Sequence, residues 1–370
     1  MTNLVGLQKC PEYDFDKVYQ SIKTLFSLVP PPDVKGKKVL LKPNILYPKK
    51  PELAVCTHPV VVGAAVKAFT DLGATVYAGE SPAIAGSTSA AKATGMYDQV
   101  VNNGGQWIDF KDAEIVECPE GHAVKQLNFA TAFKQSDVVV SLSKLKSHQF
   151  MSYTGAMKNL FGLVIGLEKS GMHYRFPNKK DFAAYLTDLN VAANAQYAIM
   201  DAIVGMEGPG GPGSGDPVHL GFLAASDNIL ALDWECASLV GYNPHEITNL
   251  EDALQRGRWL KSEKDIQVVG ASEDDCRCTT FKIVKEPSPT LQKMMPGFVN
   301  ALATAWFVKT PRFMADKCKK CGRCMQICPA KIIKMEGPEG TAALEDRKKC
   351  LHCFCCHEIC GFGAIKLRRF

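Results

Sequence analysis

The sequence predicts an α/β protein in which a mostly parallel sheet is flanked by helices, with a small α+β domain at the C-terminus. Two observations lead to this fold class. Short apolar runs alternate with segments of helical spacing over about the first 270 residues, and this alternation favours a parallel sheet. Eight cysteines then form two closely spaced groups between residues 318 and 360.

The first elements have recognisable boundaries. Residues 3–8 predict a strand, and residues 14–28 have the spacing of a helix, which Pro30 ends. Lys37 to Leu41 is a short apolar run of the kind found in buried strands. The first strand, helix and second strand therefore follow one another within about 40 residues.

The next helix is predicted over residues 60–72. Thr57 or His58 would cap it, Pro59 suits a first helical turn, and Gly73 would end it. Strands and helices then continue to alternate. We predict strands at residues 75–78, 137–142, 197–200, 220–225 and 266–270, and helices at residues 83–93, 181–195 and 228–240.

The chain divides into three predicted parts. Residues 1–285 form the α/β domain, residues 286–311 form a linker, and residues 312–370 form the cysteine-rich domain. The linker is interrupted by prolines and ends in two aromatic residues, Trp306 and Phe307. We expect these two side chains to dock the C-terminal domain on the body.

The composition argues against several classes of protein. The chain has 370 residues and a net charge of +5, without a basic stripe that contains aromatic residues, so no nucleic-acid partner is predicted. The N-terminal residues lack the charged and apolar regions of a signal peptide. No uncharged apolar run reaches about 18 residues, so no membrane span is predicted. We therefore expect a soluble, cytoplasmic protein.

Each cysteine group has the spacing C-x2-C-x2-C-x3-C. The first group is Cys318, Cys321, Cys324 and Cys328, and the second is Cys350, Cys353, Cys356 and Cys360. This doubled spacing is the bacterial ferredoxin signature for two [4Fe–4S] clusters, in which the fourth cysteine of each group ligates the other cluster. We therefore assign Cys360 to the first cluster and Cys328 to the second. Residues 332–335 and 342–345 flank a Gly-Pro-Glu-Gly turn and predict a small hairpin between the groups.

Zinc and disulfides are the alternatives for these cysteines. Zinc sites place a long gap between two cysteine pairs, whereas here four cysteines fall within eleven residues, twice. Disulfides are typical of secreted proteins, and nothing in the sequence indicates secretion. A ninth cysteine, Cys355, is interpreted as a free thiol, with a spare cluster ligand as the alternative. His352 and His357 are expected to hydrogen-bond around the clusters rather than to ligate iron.

Polar side chains follow the ends of four predicted strands. They are Lys42 with Asn44, Glu80 with Ser81, Lys144 with Lys146 and His148, and Asp201. Because ligands bind beyond the carboxyl ends of strands in open α/β sheets, we expect these residues to line one crevice. Lys158, Asn159, Glu207 and a glycine-rich loop at residues 209–217 would lie close by. Lysines in a crevice predict an anionic ligand: a carboxylate, a phosphate or an enolate.

These residues have two expected roles. The candidate catalytic residues are His148, Lys144, Lys146 and Lys158, because imidazole titrates near neutral pH and a desolvated lysine can act as an acid or base. The candidate cofactor-binding or ligand-binding residues are Lys42, Asn44, Glu80 and Asp201. Each has a structural alternative, such as a turn at Asn44 or a cap of the following segment at Asp201. Asp233, within an apolar helix, predicts a buried hydrogen bond rather than a metal ligand.

Six short motifs occur in a fixed order along the first domain. They are LKPN at residues 41–44, THP at 57–59, GESP at 79–82, KLKSH at 144–148, GAMKNLFG at 155–162 and DAI at 201–203. Together they resemble the family catalogued as domain of unknown function (DUF) 362, over about residues 3–270. The resemblance implies this α/β architecture, often with a C-terminal two-cluster ferredoxin domain, and it implies no established reaction. The domain also resembles the N-terminal half of lactate-racemase-like proteins.

Three functions fit the sequence. The first is an iron–sulfur oxidoreductase that passes electrons through two [4Fe–4S] clusters to an anionic small molecule, because a fused electron relay is most useful beside a redox site. The second is a ferredoxin-like electron-transfer subunit that docks a partner enzyme. The third is a non-redox binding, maturation or sensing protein with structural clusters. An electron donor or acceptor protein is the expected partner. The sequence carries no flavin, haem or nicotinamide motif.

Overall fold

The computed structural model describes residues 2–284 and 309–368. Most of the predicted linker, including Trp306 and Phe307, lies outside these ranges. Its last residues begin a strand of the C-terminal domain, Thr310–Phe313.

The first range consists of alternating strands and helices. Its strands are β1 (Leu4–Lys9), β2 (Lys38–Pro43), β3 (Thr75–Ala78), β4 (Gln106–Trp107), β5 (Ala113–Glu117), β6 (Gln126–Ala130), β7 (Val138–His148), β8 (Ser152–Thr154), β9 (Tyr197–Glu207), β10 (Asp216–Ser226) and β11 (Gln267–Gly270). Its helices are α1 (Phe15–Leu28), α2 (Pro59–Asp71), α3 (Ser87–Ala93), α4 (Met96–Asn102), α5 (Thr131–Lys134), α6 (Ala156–Asn159), α7 (Glu168–Arg175), α8 (Lys179–Ala193), α9 (Ile229–Leu239), α10 (Thr248–Gln255) and α11 (Glu273–Cys276).

A single large sheet organises this range. Its strand order is β11-β1-β10-β9-β7-β2-β3-β4, and β8 pairs with β7. The pairs β11–β1, β9–β7, β7–β2, β2–β3 and β3–β4 are parallel, while β10 is antiparallel to both of its neighbours. The predicted fold class, a mostly parallel sheet flanked by helices, is therefore confirmed. Strands β5 and β6 form a separate antiparallel hairpin.

Both faces of the sheet are covered, which explains why its strands read as continuous apolar runs. On one face, Val18 and Ile22 of α1 and Val61 of α2 pack in one apolar cluster. On the other face, Phe182 of α8 and Leu230 of α9 belong to a second cluster. The sheet is thus the middle of three layers, as expected for this class of fold.

The helix boundaries follow from local chemistry. The Asp14 side chain accepts a hydrogen bond from the Lys17 backbone N–H at the start of α1. Of the two cap candidates for α2, His58 fills the role, since its Nδ1 accepts from the Val60 backbone N–H. Such caps satisfy N–H groups that have no partner within the helix. Gly73 follows α2 with a φ of 85°, a left-handed conformation that glycine adopts without steric cost.

Two central strands are longer than their apolar runs predict. Strand β7 continues through His148 and β9 continues through Glu207. The extension of β7 is held by pairing with β9 as far as Lys146 and by antiparallel pairing with β8. Lys144, Lys146 and His148 consequently lie within the strand, where backbone pairing fixes their positions, although the register with β9 shifts between Lys144 and Lys146.

The C-terminal range forms a small α+β unit. Its elements are β12 (Thr310–Phe313), α12 (Arg323–Ile327), β13 (Ile333–Lys334), β14 (Ala343–Leu344), α13 (Cys355–Glu358) and β15 (Ile365–Arg368). Strands β12 and β15 pair antiparallel, and β13 and β14 form the predicted hairpin. Each short helix begins within one cysteine group.

Candidate functional site

Two cavities in the C-terminal domain are each lined by four cysteines. Cys318, Cys321, Cys324 and Cys360 line the first cavity, which contains about 400 Å³ of space free of protein atoms. Cys328, Cys350, Cys353 and Cys356 line the second, with about 370 Å³. Each cavity therefore receives three cysteines from one group and the fourth from the other group.

The backbone explains how thiols so close in sequence face one space. Lys320 and Gly322 in the first group, and His352 and Phe354 in the second, all have positive φ values. These left-handed residues turn the loop between successive cysteines, and the conformation is rare outside glycine. The helices α12 and α13 then carry the chain away, which delivers the fourth cysteine to the other cavity. Four thiols around one space are the donor set of a [4Fe–4S] cluster.

Cys355, His352 and His357 lie within the second cysteine group and have structural roles. Cys355 is buried and is absent from the lining of the second cavity. His352 Nδ1 lies 3.1 Å from the Lys309 carbonyl oxygen, and His357 Nδ1 lies 2.7 Å from the Ile365 carbonyl oxygen. The expectation that both histidines make hydrogen bonds near the cysteines is confirmed.

A separate polar site lies at the carboxyl edge of the large sheet, where β2 and β7 are neighbours. From β2 the sheet continues through β3 and β4 in one direction, and from β7 it continues through β9 in the other. Chain connections thus leave in opposite directions at this point, which is where open α/β sheets bind ligands. The Lys146 ammonium on β7 donates to Asn44 Oδ1, just after β2, at 2.6 Å. This hydrogen bond spans the switch point.

The Lys42 ammonium has an ion-pair partner and a hydrogen-bond acceptor among neighbouring side chains. Its ammonium is buried and ion-paired with Glu80, and it also donates to Asn159 Oδ1 at 3.0 Å. Glu80 accepts in turn from the Ser81 backbone N–H at 2.8 Å. Burial lowers the pKa of Lys42, while Glu80 favours its charged form. Lys42 and Glu80 therefore compensate each other.

Lys144 is compensated in a similar way. Its Nζ donates to Asp201 Oδ2 at 2.9 Å and to the Tyr13 hydroxyl at 2.7 Å. The Tyr13 hydroxyl donates to Asp201 Oδ1 at 2.9 Å, and its ring stacks on His58 with 3.5 Å between ring centroids. Asp201 also accepts from the His58 backbone N–H. This network ties β7 and β9 to the N-terminus of α2.

Lys146 is buried without an acidic partner at ion-pair distance among the described residues. Besides Asn44, it donates to the Val55 carbonyl oxygen at 2.7 Å. Burial lowers its pKa to about 7; nearby Cys56 and Glu358 oppose this shift, and Lys158 and Lys144 add to it. A neutral amine and an ammonium are therefore both accessible to Lys146 near neutral pH.

Lys158, on α6, is partly buried, and its side chain makes no hydrogen bond or ion pair with any residue that the structure describes. Burial lowers its pKa, and Glu358 and Cys355 of the C-terminal domain oppose that shift. The helix that carries Lys158 is held in place at its start, because Asp233 accepts hydrogen bonds from the first two backbone N–H groups of α6. The predicted buried hydrogen bond at Asp233 is thus confirmed.

His148 faces the C-terminal domain. Its Nδ1 accepts from the backbone N–H groups of Phe150 and Met151 at 3.0 and 3.1 Å. The proton of the neutral ring must therefore reside on Nε2, which lies 3.4 Å from Glu358 Oε1 of α13. Burial and nearby cations, Lys158 first among them, hold the pKa of His148 well below its usual range. His148 is accordingly a neutral Nε2–H donor.

The C-terminal domain contacts the α/β domain closely at and just after helix α13. The Lys49 ammonium donates to the carbonyl oxygen of Gly361, three residues after the helix, at 2.6 Å. Gly213, in the glycine-rich loop, lies so close to α13 that a Cβ there would stand 2.4 Å from the Glu358 carbonyl oxygen. Burial raises the pKa of Glu358 to about 7 against the effect of Lys158 and Lys146. The cysteine-bearing helix thus places a carboxyl group beside these lysines and His148.

The predicted crevice residues lie in three neighbouring groups. Lys42, Glu80 and Asn159 form the first group, and Lys144 and Asp201 form the second. The third group consists of Lys146, Asn44, Lys158 and His148. We call this third group, together with Glu358, the lysine site. Glu207 instead pairs with Lys282. Sequence reasoning missed Tyr13 and Glu358. Only the place of Glu358 between two cluster cysteines could have drawn attention to it.

The comparisons with known proteins agree with this architecture. The family described as "Domain of unknown function (DUF362)" matches residues 39–238. The chain belongs to this family. A 4Fe-4S dicluster domain matches residues 310–361, so this member of the DUF362 family carries a ferredoxin-like, iron–sulfur-binding domain at its C-terminal end.

Three known proteins are similar to parts of this chain. The "Thylakoid-associated protein sll1697" of Synechocystis sp. is 29% identical over 258 residues, which are 68% of this chain and 78% of that protein. A ferredoxin of Methanothermococcus thermolithotrophicus is 33% identical over 55 residues, which are 14% of this chain and 88% of that protein. Among solved structures, the lactate racemase apoprotein of Thermoanaerobacterium thermosaccharolyticum has a TM-score of 0.40 and 16% identity, and the match covers 60% of this chain and 54%, about half, of that one.

Within the two described ranges, no helix is both long and apolar enough to cross a bilayer. The cytoplasmic location stays a prediction.

Lys42 has an ion-pair partner and Lys158 has none among the described residues, so replacing each lysine should affect stability differently. Lys42→Met leaves Glu80 buried without its cation and should lower the free energy of unfolding by about 3–5 kcal/mol. Lys158→Met removes a cation that has no ion-pair partner among the described residues, so it should leave that free energy unchanged or raise it by about 1 kcal/mol. Anaerobic urea unfolding of the cluster-loaded protein, followed by far-ultraviolet circular dichroism, measures both. Equal destabilisation by the two variants would contradict this division.

Proposed function

We propose that the protein is an iron–sulfur oxidoreductase that passes electrons through two [4Fe–4S] clusters to an anionic small molecule in the lysine site. The observation that carries the proposal is the contact between the two domains at α13. One end of this helix bears Cys356 of the second cavity, and its last residue, Glu358, lies 3.4 Å from His148 Nε2. A redox group in the second cavity would therefore lie next to a site suited to an anion.

The charge balance of the lysine site supports an anionic ligand. Lys42 and Lys144 have carboxylate partners, whereas among the described residues Glu358 is the carboxyl group that acts on both Lys146 and Lys158. Burial raises the pKa of Glu358 to about 7, so this one group does not compensate two protonated lysines, and burial makes an uncompensated charge costly. A bound anion would compensate that charge. A group that accepts charge during reduction would gain still more from two ammonium groups held in place in advance.

The residues of the site can also move protons. His148 holds a proton on Nε2, and the two backbone N–H groups bonded to Nδ1 fix the ring in that tautomer. Lys146, with a pKa of about 7, can supply or accept a proton near neutral pH. When bound, [4Fe–4S] clusters supply electrons one at a time; binding, orientation and proton transfer would belong to Lys146, Lys158 and His148.

The cavity linings predict which cysteine pairs act together. A Cys318→Ala/Cys360→Ala variant removes two ligands of one cavity and should retain about four irons per chain. A Cys356→Ala/Cys360→Ala variant removes one ligand from each cavity and should lose iron from both. Iron and sulfide analysis of anaerobically purified protein distinguishes these results. The two variants serve as controls for each other, because ligation within each group alone would reverse the outcome.

The proposed reaction predicts that small anions reoxidise the reduced protein. The protein would be photoreduced anaerobically and mixed with the anionic or the non-anionic fraction of a small-molecule cell extract, while the visible absorbance of the clusters is followed. We expect reoxidation by the anionic fraction, and at least a tenfold slower rate for Lys158→Met because an anchoring charge is lost. Lys111→Met, at a side chain that is 74% exposed, is the matched control. No reoxidation, or equal rates for wild type and Lys158→Met, would refute the function.

The low pKa of Lys146 predicts a pH dependence of that rate. Only the ammonium attracts an anion, so the rate at limiting concentration of the anionic fraction should be high below pH 7 and fall as the pH rises through about 7. Lys146→Arg should abolish this fall between pH 6 and 8, since a guanidinium remains charged there. A fall that persists in Lys146→Arg would assign it to another group.

A further inference from the structure

The positive charge of the chain is concentrated in its C-terminal domain. Residues 309–368 contain 13 lysines and arginines and 6 aspartates and glutamates, a net charge of +7. The whole chain has a net charge of only +5, so the remainder is slightly negative. Two bound clusters with their thiolate ligands would make the domain less positive without reversing the sign of its charge. A basic surface on an otherwise weakly charged protein favours an acidic partner.

Four basic residues of this domain surround the first cysteine cavity. Lys317, Lys319, Lys320 and Arg323 fall within seven residues of one another and are all exposed. None of their side chains makes a hydrogen bond or ion pair with another residue in the described part of the chain. Lys319 and Arg323 line the cavity itself. Their charges are therefore directed to solvent beside the cavity.

Exposed apolar groups lie among these charges. Phe362, which also lines the first cavity, is 47% exposed, and Met325 is 40% exposed. Cys321, one of the four cysteines of this cavity, is exposed as well. Apolar and aromatic residues with a charged rim are typical of protein interfaces. We call this surface the basic face: Lys317, Lys319, Lys320, Arg323, Met325 and Phe362.

The two cavities differ in the exposure of their cysteines. Of the eight cysteines that line them, only Cys321 of the first cavity is exposed. Cys356 of the second cavity is buried, as is the neighbouring Cys355, and the helix that carries both reaches the lysine site through Glu358. The first cavity is therefore the more accessible one for electron uptake from another protein.

We propose that the basic face docks a small acidic protein that carries single electrons. In each encounter the reduced carrier would lose one electron, and a cluster held by the four cysteines of the first cavity would gain it, so no further reactant is needed. Opposite charges would steer the two proteins together and raise the association rate. The apolar centre at Phe362 and Met325 would exclude water where the two redox groups approach each other.

The test uses an acidic flavodoxin as the carrier. Binding of oxidised flavodoxin is measured by titration calorimetry, and electron uptake from reduced flavodoxin by anaerobic stopped-flow absorbance. Lys317→Glu/Lys320→Glu changes two exposed charges outside the cavity lining. This variant should weaken binding and slow uptake about tenfold or more at low ionic strength. The difference should disappear near 1 M salt, where the Debye length is about 3 Å.

A matched variant tests whether binding depends on the basic face or only on the net charge of the domain. Lys348→Glu/Lys349→Glu makes the same charge change at exposed residues of the same domain, and it should bind flavodoxin as the wild type does. Unchanged iron content and electron paramagnetic resonance spectra show that both variants retain their clusters. Wild-type binding by Lys317→Glu/Lys320→Glu, or equal weakening by both variants, would overturn the proposal. Because no variant here touches the lysine site, this result is independent of the proposed reaction.

Discussion

The burial of several lysines at one edge of the sheet is the constraint on which the rest of the structure depends. An ammonium removed from water is costly unless a partner compensates it. The α/β domain supplies that partner for Lys42 and Lys144 through Glu80 and Asp201. It supplies none for the remaining lysines of the site at ion-pair distance within the described residues, and the nearest acidic contribution comes from Glu358 of the other domain. The two domains are therefore joined electrostatically where the candidate chemistry would occur.

Much of this arrangement was predictable from the sequence. Apolar runs located the strands of the central sheet, and cysteine spacing predicted which four thiols would line each cavity. Those signals are local, because strand burial and thiol spacing follow from a few adjacent residues. The rule that strand ends gather at one edge also anticipated the contact between Asn44 and Lys146.

Other features depend on distant contacts that no local pattern encodes. The apolar run at residues 137–142 gave no sign that β7 continues to His148, since that extension depends on pairing with β8 and β9. Tyr13 lies near the N-terminus, yet its hydroxyl joins Lys144 to Asp201. The partition of the lysines into compensated and uncompensated members likewise depends on which carboxylates the fold brings near. The residue type is the same at each position, so only the neighbours in the folded structure distinguish the roles of these lysines.

The exchange of the fourth cysteine has a consequence for biosynthesis. The first cavity requires Cys360, which follows the third cysteine of its lining, Cys324, by 36 residues. The α/β domain emerges from the ribosome first, with its lysine site still lacking Glu358. Neither the donor set of the first cavity nor the lysine site can therefore be completed before residues 358–360 have been synthesised. Assembly of the cysteine-rich domain and completion of the lysine site thus depend on the same short segment of the nascent chain.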